Sequence, residues 1–235
     1  MKRFVWLAVL GLLAVVAAGA QLDRASRRQP ALAPLVPPVF RSFAQERLTI
    51  ATVRSASPEA ALADARTLVS RSPLPAEHLT LLAIASERNG DRQGSALLVQ
   101  RAAQRGWRDP IAQQAMFDIA LAAGDEAEAA RRLAALFGVQ EDQAPLRDMA
   151  ARLVATPEGR QALAATMAAG GNWTKAFLRQ AAGDLTPSLA ETIVMAQQAG
   201  ARPDCAAAQA AKRAFIAKGR AAEAALLDRC TARQR

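Results

Sequence analysis

Apolar residues recur along this chain with the period of a helix rather than a strand. After residue 75, Leu79, Leu82, Ala83 and Ser86 fall at helical spacing, and beyond a short polar break Ser95, Val99 and Ala102 do the same. The breaks carry their own chemistry. Asn89-Gly90-Asp91 and Ala123-Gly124-Asp125 lie 34 residues apart, and in each the glycine closes a helix because it enters the left-handed conformation without penalty. Ser57-Pro58-Glu59, Asp109-Pro110, Thr156-Pro157-Glu158 and Thr186-Pro187 each place a capping oxygen before a residue already fixed near helical φ. These signals predict helices near 40–54, 58–71, 75–89, 92–105, 110–123, 126–137, 143–155, 157–169, 173–182, 187–199, 204–217 and 220–232.

The N-terminus follows a different pattern. Lys2 and Arg3 precede an apolar run over residues 4–16 that closes in Ala17-Ala18-Gly19-Ala20, the layout of an export signal. Ala18-x-Ala20 fits cleavage ahead of Gln21, while residues 4–20 reach the lower end of a spanning length, so a cleaved signal and a retained anchor are both open. Arg24, Arg27 and Arg28 follow at once and must cross the membrane in either case. The rest of the chain is expected to face the periplasm or exterior, anchored in the inner membrane by residues 4–20 or secreted after cleavage at Ala20. Pro30, Pro34, Pro37 and Pro38 predict a semi-extended spacer over residues 29–39. The expected divisions are residues 1–20, a Pro-rich linker over 21–39, repeats over 40–137 and C-terminal helical hairpins over 138–235.

The two hairpins resemble the tetratricopeptide repeat family, whose 34-residue unit has bulky residues early in its first helix, small ones at its middle and Gly-Asp at the turn. Ala83 and Ser95 occupy small positions, and the copy from Pro110 follows through Met116, Gly124, Asp125, Ala129, Leu133 and Leu136. It departs by placing Phe117 where a small residue is usual. One repeat earlier, Ala61, Leu68 and Pro73 fit the same frame. The resemblance covers roughly 95 residues and implies an all-α solenoid of helical hairpins, which the irregular C-terminal hairpins would cap, a separate helical domain being the alternative.

The resemblance also implies a partner-binding groove lined by the first helix of each hairpin. On this chain those positions are Glu77, Thr80, Ile84, Glu87 and Arg88, then Ile111, Gln114, Asp118, Leu121 and Ala122, with Phe43, Glu46, Ile50 and Arg54 extending the surface. A protein or peptide partner is expected. Trp107, between two repeats, reads as a staple between hairpins or as an exposed anchor for that partner.

Composition narrows the picture. Hydrophobic residues make up 51% of the chain but aromatics only 4%, with no tyrosine, so packing must rely on Ala, Leu and Val at close helix separation. The net charge of +9 comes from arginines scattered among acids, which reads as solvated helix faces. No basic stripe interleaved with aromatics suggests nucleic acid. Cys205 begins one predicted helix and Cys230 ends the next, so antiparallel packing would bring them level and an oxidising compartment would then join them; two separate buried thiols are the alternative. Two cysteines and one histidine, His78, give poor support to a metal site. His78 is expected on the surface or in the groove.

The expectation is an exported interaction or assembly scaffold of the cell envelope, without catalysis or cofactor. An envelope glycan-processing enzyme or its regulatory subunit would need a pocket built on acids such as Glu77, Glu87, Asp91, Glu141 and Asp142. A structural spacer is the remaining alternative.

Overall fold

All four cap-and-proline signals act as expected. Ser57 Oγ accepts from Ala60 N at 3.3 Å, Asp109 Oδ1 from Ile111 N at 3.1 Å, Thr156 Oγ1 from Gly159 N at 3.1 Å and Thr186 Oγ1 from Leu189 N at 3.3 Å. In each case the following proline is the first helical residue. The computed structural model describes residues 2–106, 108–139, 144–228 and 230. The regular elements among them are all helical: α1 (Lys2–Arg28), α2 (Phe43–Ser55), α3 (Pro58–Arg71), α4 (Ala76–Arg88), α5 (Arg92–Arg105), α6 (Pro110–Ala122), α7 (Glu126–Val139), α8 (Ala144–Leu153), α9 (Pro157–Ala168), α10 (Trp173–Gly183), α11 (Pro187–Gln198), α12 (Cys205–Ala217) and α13 (Ala221–Ala224).

The two Gly-Asp turns have the same hydrogen-bond pattern. Gly90 has φ 86° and Gly124 φ 73°. Asp91 N donates to Ser86 O at 3.0 Å and Gly90 N to Glu87 O at 3.0 Å; 34 residues on, Asp125 N donates to Ala120 O at 2.9 Å and Gly124 N to Leu121 O at 3.2 Å. Each turn is a Schellman closure. Each aspartate then caps the next helix, accepting from Gly94 N at 2.8 Å and Glu128 N at 2.9 Å.

The chain divides into two units, Met1–Gly106 and Trp107–Arg235. In the first, α2 packs on α3, α3 on α4, α4 on α5, and α2 also touches α4. The helices approach through small side chains: Ala61, Ala65, Ala83, Ala85 and Ala102 are almost fully buried. Residues 29–39 are not an extended spacer. They form two 3-10 turns, Pro30–Leu35, which packs on α1 and α2, and Pro38–Phe40, which packs on α1. Their apolar side chains decide this, because Ala33 and Val36 bury themselves with Ala44 against Leu22, Phe40 and Leu48, a gain that a solvated spacer would forgo.

The second unit gathers round α7, which contacts α6, α8, α9 and α10, while α9 packs on α11 and α10 on α12. Its core is continuous from Phe117 to Leu227 and includes an aromatic group, with Phe137 and Phe177 edge to face at 5.5 Å and Trp173 beside both. Phe117, the departure from a small repeat position, is completely buried in this core. Cys205 and Cys230 lie with sulfurs 2.05 Å apart and Cα atoms 5.0 Å apart. They join the start of α12 to the segment after α13.

Candidate functional site

The residues expected along a groove separate by role. In the first unit Glu77 and Glu87 are exposed on α4, and Glu87 faces Arg92 at 3.5 Å. Thr80 is buried, with its hydroxyl on Ala76 O at 3.4 Å. Ile84 packs against the cluster of Val53, Ala61, Leu62, Ala65 and Ala85. On α2, Phe43 and Arg54 are exposed while Glu46 and Ile50 are half-buried. In the second unit Ile111, Gln114 and Ala122 are exposed on α6, and Leu121 packs on the core. Asp118 is bound by Arg152 at 2.8 Å, and the same guanidinium lies over the Phe117 ring. Trp107, Glu141 and Asp142 lie outside the described residues.

His78 is buried, not on the surface. Its Nδ1 meets Ser72 O at 2.8 Å, and because a carbonyl can only accept, Nδ1 carries the proton. Its Nε2 stands 3.8 Å from Glu46 Oε2, so the ring bridges α2 and α4.

Arg88 is no free groove residue either. It belongs to a regular series that joins Arg54, also expected in the groove, to Arg71 and Arg105, expected as solvated charges: Arg54, Arg71, Arg88 and Arg105 stand in the last turns of α2, α3, α4 and α5, one every 17 residues. Arg71 Nη1 donates to Pro38 O and Arg41 O, each at 2.9 Å. Arg88 donates to Ala56 O at 2.7 Å and to the carbonyls of Val53 and Thr52, satisfying the open end of α2 where a cation also suits the helix dipole. Arg105 Nη1 reaches Pro73 O at 2.9 Å. These partners lie 30 to 36 residues earlier in the chain, and in the second unit Arg152 meets Asp118 across 34. The 17-residue spacing of arginines was the available signal.

The end of α1 is built into the first unit. Asp23 is buried, and its carboxylate accepts from Ser42 N at 3.0 Å, Phe43 N at 3.2 Å and Ala44 N at 2.9 Å, capping α2 from another helix. Gly19 is also buried, facing the Phe40 ring so closely that a Cβ there would stand 2.3 Å from it. The part of α1 before Gly19 is exposed, and the helix is long and apolar enough to cross a membrane. Just past this junction, Arg24, Arg27 and Arg28 share one face of α1 and line an open cavity of about 700 Å³ with Gln21, Gln29 and Phe43. The Arg27 guanidinium lies 5.3 Å from the Phe43 ring centroid.

Two further cavities lie in the second unit. One of about 450 Å³ is lined by Arg147, Arg179, Gln180 and Asp184, and another of about 490 Å³ by Asn172, Lys175, Arg202 and Asp204. Among the described residues no group of three or more His, Cys, Asp or Glu side chains is placed to hold a metal. Burial alone would push the Glu128 carboxyl up, but hydrogen bonds from Arg131 and Arg132 and their positive charge outweigh it and hold it below its ordinary value. Arg132 also donates to Gln113 Oε1 at 2.9 Å, so this ion pair links α7 to α6.

No protein-family model, curated protein or solved structure matches the chain.

Proposed function

We propose that the chain is a membrane-anchored scaffold of the cell envelope whose tetratricopeptide-like hairpins hold a protein or peptide partner and perform no chemistry on it. The observation that carries this reading is the arginine series. Contacts between residues about 34 positions apart, made again at Arg71, Arg88 and Arg105, are what stacked hairpins of that period require. In the first unit Glu77 and Glu87, exposed on α4, and in the second Ile111 and Gln114, exposed on α6, are first-helix positions open to a partner. The joined cysteines fit an oxidising compartment.

Retention of α1 is favoured over cleavage by the burial of Gly19 near the proposed cut. Removal after Ala20 would discard Gly19 from its seat on Phe40 and leave Asp23, which caps α2, on a frayed stub.

Photo-crosslinking in intact cells from positions 77, 87 and 114, followed by mass spectrometry, tests the reading. The expected result is one envelope protein captured from these positions and not from Arg213, exposed on α12. A purified chain that turns over an envelope glycan unaided overturns it.

A further inference from the structure

We propose that Arg24, Arg27 and Arg28 form a cradle for the headgroup phosphate of an anionic phospholipid. This inference rests on the reading of α1 as a retained anchor. The three side chains occupy one face at i, i+3 and i+4, all exposed, and no carboxylate lines the cavity they share. The nearest acid in sequence, Asp23, stands one turn before Arg27 but is taken up by three backbone N–H groups of α2. The positive charge of this face therefore has no carboxylate set against it in the cavity.

Its height on the helix selects the ligand. Residues 4–20 cover about 26 Å at 1.5 Å per residue, close to the hydrocarbon thickness of a bilayer. Arg24 begins one turn further on, and Arg27 and Arg28 a turn beyond that, at the level of headgroup phosphates. Guanidinium groups match a phosphate by paired, charge-assisted hydrogen bonds. Phe40 packs on Gly19, so the adjoining 3-10 turns sit at the same level. There Val39 and Leu35 are 81% and 67% exposed, as suits side chains that rest in the interfacial layer rather than in water. Arg27 stacks on Phe43, which holds the cradle's middle member in place between Arg24 and Arg28.

The full chain in micelles doped with phosphatidylglycerol or with phosphatidylcholine of the same acyl chains, titrated by native mass spectrometry, tests this. Each basic residue at an anionic surface is worth roughly fivefold in affinity. The natural chain should therefore retain phosphatidylglycerol about a hundredfold more tightly than phosphatidylcholine, and Arg24→Gln with Arg28→Gln should cut that preference more than tenfold, at unchanged helix content by circular dichroism. Arg54→Gln, remote from the cradle, should leave it intact. Equal retention of the two lipids by the natural chain, or a preference left undiminished by the double substitution, overturns the inference. So does displacement of the lipid by an equal concentration of inorganic phosphate, which would mark a site for the free anion. The intact mass of the chain recovered from cell membranes separates this from the anchor reading. A chain beginning at Gln21 overturns both, whereas a full-length chain without lipid preference overturns the cradle alone.

Discussion

Arg88, at the end of α4, donates to the carbonyl of Ala56, 32 residues earlier, at 2.7 Å, and the same guanidinium reaches two more carbonyls at the end of α2. One side chain thereby supplies the C-terminal cap of a helix in the preceding hairpin. Arg88→Met should lower stability by about 1–2 kcal/mol, the value of charge-assisted hydrogen bonds at a partly exposed site. Arg88→Lys should fall between, because an ammonium cannot span three carbonyls. Arg54→Met should stay within about 0.5 kcal/mol, as surface substitutions do. Urea denaturation of the three variants checks the order.

Gly159 opens α9 under the end of α8, and a Cβ there would meet the Leu153 carbonyl oxygen at 1.8 Å. Backbone cannot step aside as a side chain can. Gly159→Ala should therefore cost about 1–3 kcal/mol, as overpacking does, despite the better helix propensity of alanine. A lowered thermal midpoint is the expected readout.

Glu128 makes part of the stability acid-sensitive. Its folded carboxyl titrates below the ordinary value of 4.5, so its contribution is complete above that value and is lost as pH falls through the lower, folded one. The drop in stability between pH 5 and pH 3 should be smaller in Glu128→Gln than in the natural chain. Urea midpoints across that range provide the measurement.

Reduction of the Cys205–Cys230 link, or Cys205→Ser with Cys230→Ser, should destabilise the end of the chain by roughly 3.5 kcal/mol for a closed loop of this length in the chain-entropy account. The two positions lie 25 residues apart. Because α12 packs on α10, hydrogen exchange should rise first in α12 and then in α10.

What the sequence made legible was the local grammar. A capping oxygen before a proline, or a glycine before an aspartate, acts within four or five residues, so the starts of α3, α6, α9 and α11 and the closures after α4 and α6 needed no tertiary knowledge. Direction of burial was harder. Thr80 and Ile84 were expected on a groove, but one is buried and the other joins the packing of α2 and α3, since a face of helix α4 between two neighbours is wider than a single stripe. His78 departs from expectation for a related reason: its ring is drawn inward by Ser72 O, just before α4, and by Glu46, on α2. The arginines at 54, 71, 88 and 105 are visible as letters, but the even spacing acquires meaning only when the carbonyls held by Arg71, Arg88 and Arg105 are known. Residues 29–39 misled because four prolines suggest extension, whereas Ala33 and Val36 between them offer a hydrophobic seat.

The grip of Asp23 on three amides of α2 has a mechanical meaning. A bead on a loose string samples every tilt, but here the last turns of α1 are spliced into the first hairpin like a mast stepped into a hull. Whatever fixes the direction of that mast also fixes the bearing and the standoff of α2 and the helices packed on it. A tug on the one is felt by the other with little slack between.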